Sequence, residues 1–132
     1  MARRVIQALL DTSAVIASPE AISLRSDDTA AISVITLGEL HAGVRLAGDP
    51  STRALRQARL AAVRTSFVPL PVDEPIAESY GELLSIARTG RRTSNATDLL
   101  IIATAWATGR TLVTLDDAQA SLARLAGVAV QT

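Results

Sequence analysis

Short apolar runs alternate with longer amphipathic stretches along this chain. Positions 5–10, VIQALL, are almost continuously apolar, the pattern of a strand buried on both faces. Positions 29–34 and 111–115 read the same way, 67–70 is a weaker strand marked by Pro69 and Pro71, and 128–130 is a short last one. The stretches between them have helical spacing. Positions 37–46 follow Thr36, and Glu39 three residues on suggests a capping box. Asp49-Pro50 opens an arginine-rich helix to about position 63, with proline in the first turn. Positions 74–88 are amphipathic and stop at Gly90, while the segment from Asn95 to Gly109 is apolar nearly all round and should be a central, buried helix. Strands alternating with helices predict an α/β fold of three layers, a mostly parallel sheet of about five strands with helices on both faces. No linker or repeat divides the chain, so the expectation is one domain over 1–132.

Composition narrows the chemistry. The 132 residues are 48% hydrophobic, enough for a sizeable core, and 13 basic residues balance 13 acidic ones, so any polyanion must be met by a local patch. There is no cysteine, which excludes disulfides, thiolate metal sites and cysteine nucleophiles and suits a reducing cytoplasm. All basic residues are arginines, and the lack of lysine removes P-loop and Schiff-base enzymes. The opening Met1-Ala2-Arg3-Arg4 is basic, but Gln7 and Asp11 interrupt the apolar stretch too soon for a signal-peptide core, and no run is long enough to span a membrane.

Four acids fall where such a fold puts its active site. Asp11 ends the first strand, Glu39 lies in the first turn of the following helix pattern, Asp98 opens the central helix and Asp116 ends the fourth strand. Each also has a plain explanation, as a helix cap or a dipole partner. Together they would form a hard-oxygen site without nitrogen or sulfur donors, suited to magnesium or manganese and to phosphodiester hydrolysis. Thr12, Ser13 and Thr114 stand beside Asp11 and Asp116, where their hydroxyls could orient a carboxylate or start a helix. If Asp11 and Asp98 merely cap, their replacement by Asn should cost little. In a cluster, the same change should relieve repulsion and stabilise the metal-free protein.

His41, the one histidine, sits two positions from Glu39 and so faces away from it on a helix, which favours a structural or surface role. Trp106 reads as core. With Phe67 and Tyr80 the only other aromatics, stacking of single-stranded bases is not expected. Arginines form two candidate phosphate-binding patches, Arg53, Arg56, Arg59 and Arg64 on one helix and Arg88, Arg91 and Arg92 around Gly90. Arg91 and Arg92 carry more weight because they lead into the acidic edge. Asp27, Asp28 and Asp49 read as solvated loop or cap residues.

The ordered set Leu9-Leu10-Asp11-Thr12-Ser13, Ser33-Val34-Ile35-Thr36-Leu37-Gly38-Glu39-Leu40, Asn95-Ala96-Thr97-Asp98-Leu99-Leu100-Ile101-Ile102-Ala103 and Val113-Thr114-Leu115-Asp116 resembles the PIN-domain family, in particular its VapC-type toxins. The resemblance implies a PIN-like fold and a magnesium- or manganese-dependent endoribonuclease. It also implies a cytoplasmic protein, commonly a homodimer, that is inactive while bound to a cognate VapB-type antitoxin. Asp11, Glu39, Asp98 and Asp116 match the family's acidic quartet. The family often has a further acid two residues after the fourth aspartate and then an aromatic; here Ala118 and Gln119 occupy those positions, and Asp117 is the neighbouring acid. An RNA-processing nuclease without an antitoxin and a non-catalytic binding or dimerisation module are the other readings.

Overall fold

Five parallel strands, in the order β3-β2-β1-β4-β5, form the centre of the computed structural model, which describes residues 3–132. Met1 and Ala2, half of the basic opening, lie outside the described residues. The strands are β1 (Gln7–Leu10), β2 (Thr29–Ser33), β3 (Val68–Leu70), β4 (Thr111–Val113) and β5 (Val130–Gln131). The helices are α1 (Thr12–Ile16), α2 (Val34–Arg45), α3 (Pro50–Ser66), α4 (Glu74–Thr89), α5 (Ala96–Thr108) and α6 (Asp117–Leu125). Chain order runs outward from β1 through β2 to β3, then returns to β4 on the other side of β1. The carboxyl ends of β1 and β4 therefore flank the switch point where ligands bind in open α/β sheets.

Successive strand residues supply opposite cores, as the pleat dictates. Leu9, Ala31 and Leu112 face α4, α5 and α6 with Leu83, Ile102 and Leu122. Ala8, Leu10, Ile32 and Val113 face α1, α2 and α3 with Ala14, Leu40 and Leu60. The result is the three-layer α/β architecture, its sheet parallel throughout. Edge position explains Pro69 in β3, where a missing N–H costs no ladder bond to a further strand.

Several boundaries differ from the sequence expectation. Helix α2 begins at Val34, not after Thr36: the Ser33 side chain accepts from Ile35 N, and Thr36 is buried inside the helix rather than capping it. Glu39 consequently lies in the second turn, beyond the capping positions. Strand β1 starts at Gln7 and leaves Val5 exposed, while Val128 packs in the core before β5, just after Gly127 turns the chain at a φ of +85°. Asp28 is no solvated loop residue. It accepts from Ile6 N and Arg25 N and pairs with Arg3 at 2.5 Å, contacts that hold its carboxyl far below the usual range and pin the approach to β1 against that to β2. Trp106 packs, half-buried, against the α4–α6 core.

Ile102 lies fully buried on α5, whereas Val68 is 65% exposed on the edge strand. Ile102→Ala should destabilise the fold by about 2–5 kcal/mol through lost burial and a residual cavity, and Val68→Ala by at most about 0.5 kcal/mol. Denaturant midpoints at unchanged slope check both.

Candidate active site

Asp11 directly follows β1, and its amide donates to Val113 O at 3.1 Å, which ties it to the end of β4. Its carboxylate is buried and fixed on three sides. Oδ1 accepts from Ser13 Oγ at 2.6 Å and from Ala14 N at 2.9 Å, and Oδ2 accepts from Thr114 Oγ1. Both hydroxyls are themselves oriented, since Ser13 Oγ accepts from Leu115 N at 2.9 Å and Thr114 Oγ1 from Asp116 N at 3.0 Å. Asp11 thus caps α1 and also joins β1 to the turn after β4. A carboxylate offers about four acceptor sites, so one is left free.

The other three acids come from three further elements. Glu39 projects from α2, where Thr12 Oγ1 donates to its Oε1 at 2.7 Å. Asp98 occupies the third position of α5 behind the Asn95 cap. Asp116 caps α6 by accepting from Gln119 N at 3.1 Å. All four line one cleft of about 240 Å³, together with Thr12, Ser13 and Gln119. Capping therefore describes Asp11 and Asp116 correctly without accounting for the gathering, and it does not apply to Glu39 at all.

The electrostatics follow from that gathering. Partial burial raises the Asp98 pKa from its ordinary value, and the charges of Asp116, Glu39 and Asp11 raise it further, against a hydrogen bond from Asn95 that lowers it. Among the described residues no three His, Cys, Asp or Glu side chains are close enough to clasp one ion directly. The acids line a cleft rather than a closed cage.

The remaining sequence candidates divide. Ser13 and Thr114 hold Asp11, and Thr12 holds Glu39. Asp117 is exposed and is not part of the cleft lining, whereas Gln119, buried and donating to Asp98 O at 3.5 Å, is. Gln119 was not among the sequence candidates; its place three residues after the Asp116 cap was the available signal. His41 is exposed and lines a separate groove between α2 and α3. Arg92, held by Ser121 Oγ at 3.1 Å, lines a groove of about 370 Å³ that includes Asp98 and Gln119; Arg91 is exposed and not part of that lining.

A PIN-domain family model matches residues 8–125. Ribonuclease VapC8 of Mycobacterium tuberculosis is 40% identical over 100 residues, which cover 74% of this chain and 88% of that protein. Ribonuclease VapC5 of the same organism is 36% identical over 126 residues, 92% of each chain. Among solved structures, the toxin–antitoxin complex VapBC-5 of M. tuberculosis superposes with a TM-score of 0.83 at 34% identity, covering 96% of this chain and 98% of the other. FitAcB of Neisseria gonorrhoeae gives 0.75 at 29%, covering 96% and 97%.

Asp98→Asn and Asp11→Asn should shift metal-free stability in opposite directions. A raised folded-state pKa means that ionised Asp98 costs native stability at neutral pH. Asp98→Asn should therefore raise the denaturant midpoint at pH 7, by less than about 1 kcal/mol because the group is half in water. That advantage should fade as acid protonates the wild-type carboxyl. In Asp11→Asn an amide N–H₂ replaces an oxygen that accepts from a buried hydroxyl, so the midpoint should fall by about 1–3 kcal/mol. Paired denaturation curves in chelator at pH 7 and pH 4 measure both.

Proposed function

Because the chain belongs to the PIN-domain family, we propose that it is the endoribonuclease toxin of a toxin–antitoxin pair, hydrolysing RNA phosphodiester bonds at the cleft of Asp11, Glu39, Asp98 and Asp116 with magnesium or manganese. The observation that carries the site assignment is the gathering of four carboxylates from separate elements along one cleft, where burial and then the charges of the other three raise the Asp98 pKa. Like charges gathered along a partly buried cleft repel one another, and a cation among them offsets that cost.

The donor set fits a hard divalent ion. Oxygen is the only donor type among the four acids, and their spread suits an ion that keeps part of its water shell and binds through one or two carboxylates plus a substrate phosphate. One or two of Asp11, Asp98 and Asp116 would hold it directly and the others through its water shell, with Glu39 at the same cleft. When bound, such an ion supplies positive charge that polarises the phosphate and acidifies water. The chain's own residues do the positioning. Ser13, Ala14 and Thr114 leave Asp11 little rotational freedom, so its free acceptor site points in one fixed direction. Thr12 occupies Glu39 Oε1 and leaves Oε2 to accept a hydrogen bond from a water in the cleft. Gln119 closes the α6 side, where its amide can orient Asp98 through the backbone.

The partner this reading implies is a VapB-type antitoxin, which would silence the site by setting a basic side chain, an arginine, against the carboxylates in place of the ion.

Purified protein should cleave RNA only with magnesium or manganese, stop in excess chelator and resume when metal is restored. Asp98→Asn and Glu39→Gln should each lower the rate by about a hundredfold or more. Gel analysis of end-labelled RNA checks this, and undiminished cleavage in excess chelator would rule the mechanism out. Saturating antitoxin should abolish metal binding and cleavage together, as calorimetric metal titration of the complex would report.

A further inference from the structure

The acid cleft opens at both ends into grooves that carry arginine. On the α6 side it shares Asp98 and Gln119 with the Arg92 groove. On the other side it shares Thr12, Ile16 and Glu39 with a groove of about 210 Å³ walled by Gly43, Arg56 and Arg59. Helix α3, which supplies that wall, has four arginines and no acid in 17 residues. Among the described residues the ion pairs are Arg3 with Asp28 and Arg25 with Asp27, so no α3 arginine is ion-paired, although Arg56 lies near enough to Asp49 to help lower its pKa. Arg56 Nη1 donates to Gly43 O at 2.7 Å, which fixes its guanidinium on the groove wall. Arg59 is exposed and donates to no protein group among the described residues. Glu39, in the same groove, is held by Thr12 and not by these arginines.

We propose that Arg56 and Arg59 form a substrate-positioning site for an RNA phosphate, on the opposite side of the acid cleft from Arg92, so that the strand crosses the carboxylates between two cationic shoulders. The proposal rests on the ribonuclease reading and extends it to residues outside the acidic set. A polyanion nearing four carboxylates is repelled unless positive charge flanks its path, and a nucleic-acid strand carries a charge at each step, able to meet both shoulders at once. Neither groove contains an aromatic side chain, so contact is with the backbone rather than with stacked bases. Binding should therefore depend strongly on salt and weakly on sequence.

The test is fluorescence anisotropy with a labelled single-stranded oligouridine of about a dozen nucleotides. It is run with magnesium at several salt concentrations and in an Asp98→Asn background, so that the probe stays intact. Arg59→Gln should weaken binding about three- to tenfold and reduce the slope of log affinity against log salt by about 0.7, one phosphate contact on a single strand. Arg59→Lys should keep the slope, and Arg124→Gln, on an exposed arginine outside both grooves, should change nothing. An Arg59→Gln slope equal to the parent's, at an unchanged denaturant midpoint, overturns the proposal. So does an unchanged slope accompanied by weakened antitoxin binding, which would assign the face to the protein partner. Wild-type cleavage, followed in parallel, reports on the ribonuclease reading alone.

Discussion

The Asp11 carboxylate is the joint on which the site depends. It is buried at the end of the central strand, caps the helix that follows, and accepts a hydroxyl from the segment after β4. A buried carboxylate left unsatisfied is costly, so the Ser13 and Thr114 hydroxyls and the backbone amides that orient them have to be in place together. This network fixes the spacing between the ends of β1 and β4. The turn leading to Asp116 is fixed with it, because Asp116 N donates to the same Thr114 hydroxyl that reaches Asp11. A functional edge becomes rigid through ordinary helix-capping chemistry.

What the network cannot do is remove charge. Glu39, Asp98 and Asp116 are delivered by α2, α5 and α6, each anchored in one of the two cores, so the acids cannot drift apart without disturbing packing. The strain is borne where burial and repulsion coincide, at Asp98. A cation relieves it, and so would the guanidinium of an inhibitory partner. On the proposed reading, metal loading and inhibition are two solutions to one electrostatic problem. The arginines of α3 and Arg92 would belong to the same balance, making the rim attractive to an anion that the cleft by itself would repel.

Much of this was legible in the sequence because it follows from period and topology. Continuous apolar runs mark buried parallel strands, and the position of Asp11 and Asp116 at strand ends puts them on the edge where open parallel sheets bind ligands. Detail was lost where one residue type serves two roles. Thr36 followed by Glu39 has the form of a capping box, yet Ser33 provides the cap and Thr36 is core, because β2 passes directly into α2 without a loop. Asp28 looked solvated because its partners, Arg3 and Ile6, are distant in sequence. Gln119 and the Arg56–Arg59 wall leave no comparable signal in the sequence, because they matter through the grooves they share with the acids, and grooves are properties of packing. Which of Arg91 and Arg92 lines the groove depends on local backbone, since Arg91 adopts a φ of +54° just past α4 while Arg92 turns toward α6.

Everything proposed for this chain turns on four acids from four elements forming one cation site at the β1–β4 switch point. Diffraction from crystals grown with manganese, recorded near its absorption edge, tests it most directly. An anomalous peak should appear in the cleft beside Asp11 and Asp98 and be lost in crystals of Asp98→Asn. A cleft without a peak, in crystals of protein that cleaves RNA in the same manganese buffer, would contradict it.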